Sequence, residues 1–184
     1  MYTVYLDAKD KGARATGMGY SDFIKTFDTI CQEHMKDKRA KAFAFIFYDM
    51  EHGPVRSALK TARGFEILNA ETGKDITLFY LHAAAAESHA SAFNKRFMEA
   101  LGVEEQIDMP CIVFFRVTDD KIDDINFRSI DKQVDEEYLI VEALRRDIAE
   151  YTEDMNSQGN FSALTGVIGW FSVQAFQLAL KHFI

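Results

Sequence analysis

Proline and cysteine are scarce in this chain, with two of each in 184 residues beside a single tryptophan. Cys31 and Cys111 are far apart in sequence and read as buried or free thiols, not as a disulfide framework. With only Pro54 and Pro110 present, each proline marks a specific backbone need. Positive charge is also in deficit, the formal net charge being −8. The densest basic cluster, Lys36, Lys38, Arg39 and Lys41, falls where a helix closes and cations suit the helix dipole. No basic stripe remains to follow a phosphate backbone, so no nucleic-acid partner is expected. The opening residues Met1 to Asp7 have neither a basic start nor an apolar run. No secretory signal is read there, and a cytoplasmic location is the expectation.

Phenylalanine, by contrast, is abundant: sixteen residues within a composition that is 48% hydrophobic, enough to fill a core. Tyr2 to Leu6 alternates as a short strand, and Lys9 to Gly19 reads as a loop. Ser21 is the expected cap of a helix whose inward stripe is Ile24, Phe27, Cys31 and His34 or Met35. Ala42 to Tyr48 is an unbroken apolar run that suits a central strand covered on both faces. Pro54 lies in the first turn of the next helix, whose inward face is Val55, Leu59, Ala62 and Phe65 and whose exit is Gly73. Ile76 to Leu81 predicts another buried strand. Ser88 is expected to cap a helix carrying Phe93, Phe97 and Leu101, ended by Gly102. Cys111 to Val117 and Ile122 to Ile130 predict a strand pair, and Asp135 the cap of a long helix with stripe Tyr138, Val141, Leu144, Ile148 and Tyr151. Residues 156–160 then read as a linker and 161–184 as one apolar helix. The order β-α-β-α-β-α-β-β-α with an extra C-terminal helix is an α/β arrangement, mostly parallel with an antiparallel edge.

Two local features accompany that order. After the central strand comes His52-Gly53-Pro54-Val55-Arg56, preceded by Glu51; later, Met109-Pro110 opens the strand before the hairpin. With these residues and this order, 1–155 resembles the thioredoxin superfamily. In that family the first junction carries Cys-Gly-Pro-Cys and a basic residue, and the second proline is cis. The resemblance implies a thioredoxin-like domain that is redox-inactive, because His52 and Val55 replace the attacking and resolving thiols. Neither Cys31 nor Cys111 restores the pair. It further implies that the main chain at Met109 faces the former active site, where family members pair with an extended peptide or glutathione.

The candidate partner-binding residues are therefore His52, Gly53, Pro54, Met109 and Pro110, and no catalytic residue, cofactor or metal is expected. The implied role is a binding, adaptor or assembly protein acting on a protein partner or extended peptide. Two alternatives stand beside it: a glutathione-dependent or other enzyme with His52 as base, and a membrane-attached scaffold held by the tail. His82 and His89, with Glu87 between them, lack the fixed spacing of a metal pair. Asp119, Asp120, Asp123 and Asp124 lack the glycine and closing glutamate of a calcium loop and read as a solvated hairpin.

In the 161–184 helix, Leu164, Ile168, Phe171 and Ala175 share an apolar stripe, and Gly166 and Gly169 belong to a ridge of small residues that admits another helix. Gln174, Gln177 and Lys181 interrupt the run of about 20 apolar residues that a membrane span requires. A homo-oligomer joined through this helix, most simply a two-fold dimer, is the expectation, with membrane contact the other use of the same surface.

Overall fold

The computed structural model describes residues 1–5, 17–49, 52–82, 87–118, 121–157 and 171–172. Its elements run β1 (Tyr2–Tyr5), β2 (Gly17–Gly19), α1 (Tyr20–Lys36), β3 (Ala42–Phe47), α2 (Gly53–Lys60), α3 (Ala62–Thr72), β4 (Ile76–His82), α4 (Glu87–Ala100), β5 (Cys111–Thr118), β6 (Lys121–Ser129), α5 (Glu137–Ser157) and β7 (Phe171–Ser172). The protein is α/β, with one mixed sheet in the order β2-β1-β4-β3-β5-β6-β7. β1 pairs parallel with β2 and β4, and β4 parallel with β3. From β3 onward the pairing is antiparallel, through β5 and β6 to β7.

Strand alternation divides the aromatic side chains between the two faces of the sheet. On the face covered by α1 and α4, Phe45 meets Phe97 of α4 at 4.4 Å between ring centroids and Phe23 of α1 at 5.9 Å. Phe27 of α1 reaches Phe79, Phe97 and Phe115 on the same side. On the opposite face Phe114 stacks on Tyr151 of α5 at 4.2 Å, and Tyr80 meets Phe65 of α3. β3, between these layers, is fully buried at every residue, as its unbroken apolar run predicts. Each well-placed ring pair adds about 0.5–1.5 kcal/mol to what area burial supplies.

Several expectations are corrected here. The chain from Pro54 to Gly73 is two helices, because Thr61 turns extended (ψ 138°), closes α2 and caps α3 with its side chain. Its hydroxyl donates to the Ala58 carbonyl at 3.2 Å and accepts from the Gly64 N–H at 3.1 Å. Gly64 is required at this break: a Cβ there would come within 2.1 Å of the Ala58 carbonyl oxygen. Ser21 lies inside α1 and does not cap it, since β2 runs directly into the helix and Gly19 takes the cap position. Ser88 likewise falls inside α4. Asp135 does not cap α5; the Glu136 carbonyl accepts from the Leu139 and Ile140 N–H groups.

Tyr138, expected inward, is 59% exposed, while Val141, Leu144, Ile148 and Tyr151 are buried. Phe27, Cys31 and His34 hold the stripe of α1 with Phe23 added, and Met35 is half-buried. The side chains of Ile24 and Ala62 lie outside those described. The expected helix over 161–184 is corrected at Phe171–Ser172, which is strand paired to Ile122 and Lys121. Leu164, Gly166, Ile168, Gly169 and Ala175, like the rest of the tail, lie outside the described residues, as does most of the 156–160 linker.

Candidate functional site

At one edge of the sheet the end of β3 and the start of β5 come together. Their register pairs Phe47 with Cys111, so one residue further Tyr48 and Pro110 leave the sheet side by side. The Met109–Pro110 peptide is cis, with Pro110 buried and Met109 half-buried. The Pro110 carbonyl accepts from the Ile130 N–H at 2.9 Å, which ties the end of β6 to the same edge. Residues 52–55, 108–110 and 130–132 thus converge.

His52 joins two of these segments. It occupies the N-cap of α2, where Nδ1 accepts from the Val55 N–H at 3.4 Å, and Nε2 donates to the Lys132 carbonyl at the same distance. One tautomer, with the proton on Nε2, serves both contacts. The His52 N–H in turn donates to the Asp49 carbonyl at 2.8 Å, and the Lys132 ammonium lies 3.9 Å from the Asp108 carboxylate. Both ring nitrogens are therefore engaged in holding the junction. Next to it Gly53 is exposed, and among the described residues no atom beyond its own chain neighbours and helix backbone lies within 4 Å of where its Cβ would be. Pro54 is half-buried in the first turn, and Val55 is fully buried.

Neither thiol serves this edge as a nucleophile. Cys31 is fully buried under the sheet, and Cys111, also fully buried, has its thiol pushed up to about 12 by burial and by the Asp108 carboxylate. The thiolate is the reactive form, which the raised Cys111 thiol disfavours, and burial shields both sulfurs from reagents in the folded chain.

Sequence reading missed Lys132, whose carbonyl takes the His52 bond, and a second residue that shapes the site. Asn94 of α4 is fully buried; its Nδ2 donates to the Tyr48 carbonyl at 2.6 Å, while the Tyr48 hydroxyl donates to the Leu81 carbonyl at 2.6 Å. These two bonds hold the backbone where β3 gives way to the site. Burial and the neighbouring Tyr80 raise the Tyr48 phenol, against the pull of Arg56. The signal available was a lone amide on the stripe between Phe93 and Phe97, a place that demands a hydrogen-bond partner.

Other candidates do not converge here. The side chains of His82, His89 and Glu87, and residues 119 and 120, lie outside those described. Asp124 sits at a positive φ of 56° in the β5–β6 irregularity, 3.9 Å from Arg116. Among the described residues no cluster of three or more His, Cys, Asp or Glu could hold a metal ion, and no helix is long and apolar enough to cross a membrane. No family model, no curated protein and no solved structure matches this chain.

Proposed function

We propose that this chain is a redox-inactive, thioredoxin-like binding or assembly module that takes an extended segment of a partner protein along the edge formed by His52, Gly53, Pro54, Met109 and Pro110. The observation that supports the reading is the β3–β5 register, which brings Pro110 next to Tyr48 at the edge where the His52 ring bonds the Lys132 carbonyl; in the sequence, His52 and Val55 stand where the resembled family has its thiols. The mixed sheet with its antiparallel hairpin accords with the same resemblance. Main-chain groups and an open surface at Gly53 are what an extended peptide needs, since its affinity comes from backbone pairing and its specificity from side-chain pockets. His52 acts here as a brace, because its two ring nitrogens already have partners. That occupancy favours binding over a general-base role.

The test is a titration of the ¹⁵N-labelled chain with an unfolded probe, reduced and carboxymethylated lactalbumin, followed by amide chemical shifts. Amides of residues 52–55 and 109 are expected to shift, and Met109→Pro, which removes a main-chain donor, to weaken binding at least fivefold. Shifts confined to other surfaces would refute the proposal.

A further inference from the structure

A second surface lies on the α3–α5 side of the sheet, independent of the peptide edge. The eight residues of α2 put about 12 Å, at 1.5 Å per residue, between His52 and Thr61. There the break at Thr61 tips the first turn of α3 beside the first turn of α5 and leaves a cleft of about 270 Å³. Arg63, Gly64 and Ile67 line one wall, and Glu137, Tyr138 and Val141 the other. Beside it stand the exposed large hydrophobic side chains of the described residues, Tyr138 at 59% and Leu139 at 48% exposure. Further along the same helix pair the seam is closed by Arg145, which bonds Glu142 at 3.1 Å and Glu71 at 3.4 Å. The cleft is confined to the two helix starts.

Its charge is uneven. Glu137 lines the cleft, Asp135 and Glu136 immediately precede Glu137 in the chain, all three are exposed, and among the described residues no ion pair takes them up. Among the described residues Arg63 is the single cation lining the cleft. We infer that this cleft docks a partner polypeptide presenting one large apolar side chain flanked by lysine or arginine. The volume falls below the roughly 300–1,000 Å³ of ordinary small-ligand pockets and suits a single bulky side chain. A second copy using the same patch across a two-fold axis would bring two acidic flanks together, which like charge opposes. An anionic lipid surface is repelled by the same three carboxylates.

The experiment pans a displayed library of random peptides against the full chain and measures the enriched sequences by fluorescence anisotropy. Expected are peptides with a Leu, Ile, Met, Phe or Trp beside basic residues. Their affinity should fall at least tenfold on the paired substitution Tyr138→Ser and Leu139→Ser, and severalfold, with a flatter salt dependence, on Glu136→Lys with Glu137→Lys. All four positions are exposed, so circular dichroism should show unchanged folding. In the ¹⁵N-labelled chain these peptides should shift the amides of residues 63, 64, 67, 138 and 141 and leave those of 52–55 and 109 in place, which separates this binding from the peptide edge. Enrichment of acidic sequences, binding that ignores residues 138 and 139, or a dimer that dissociates on the Tyr138→Ser and Leu139→Ser pair would each overturn the inference.

Discussion

His34 shows how one buried side chain can set the acid limit of the fold. It lies 8% exposed at the end of α1, with Nδ1 2.7 Å from the Thr77 hydroxyl and Nε2 3.3 Å from the Tyr2 hydroxyl. Burial lowers its affinity for a proton, Arg39 adding to the effect and Glu33 opposing it. The unfolded chain therefore protonates first, near the ordinary 6.5. Its contribution to stability is complete above that value and is lost as pH falls through it toward the lower folded value. Urea midpoints measured from pH 8 to pH 5 should drop below pH 6.5, and His34→Gln should flatten that drop. Asp147, buried on α5, has the opposite sign: burial raises its carboxyl, so the ionised form costs stability at neutral pH. Asp147→Asn should raise the urea midpoint at pH 7. Cys31 and Cys111 should react with a thiol reagent only after denaturation, and rapid labelling of the native protein would contradict their burial.

At the scale of elements, Phe97 belongs to both the stripe of α4 and the rings of β3, meeting Phe45 and Phe47 at 4.4 and 5.4 Å. Phe97→Ala should cost about 3–5 kcal/mol by chemical denaturation, the range for removing a buried aromatic ring. Thr61→Ala should cost about 1 kcal/mol through the lost cap, and Gly64→Ala should destabilise through the clash with the Ala58 carbonyl. Strand β3 was legible in the sequence as an unbroken apolar run of strand length, and the inner faces of α1 and α4 because apolar residues repeat there with the helical period. The break at Thr61 was not. A threonine is neutral within a helical pattern, and only Gly64 approaching Ala58 reveals that the axis turns. Tyr138 fits the apolar spacing of α5 yet faces out, because it stands in the first turn, ahead of the part of the helix that packs on the sheet. The pairing of Phe171 with Ile122 is a long-range choice that local helical periodicity cannot express. At the site, Pro54 and Pro110 stood out by their rarity, whereas Asn94 and Lys132 act through backbone carbonyls that no motif records.

For the whole molecule, the absence of cysteine at residues 52 and 55 carries a direct expectation. In an insulin-reduction assay with dithiothreitol the protein should not exceed the uncatalysed rate, and sustained turnover would remove the basis of the binding proposal. Self-association through the tail remains a proposal with its own measurement: light scattering on the full chain should give the mass of a dimer.

β3 separates two differently built halves of one sheet. On one side its neighbour β4 is parallel, with Ala42 facing Ile76; on the other, β5 is antiparallel, with Phe43 facing Phe115. Its amide hydrogens are shielded by strands on both flanks and by aromatic layers above and below. No local fraying can release them, so they should exchange with deuterium only when the entire domain opens. β2, with three residues, and β7, with two, should exchange orders of magnitude faster from the rims. The slowest protons in β3 would then report the global unfolding free energy directly, without denaturant, from the strand that leads into the proposed binding edge.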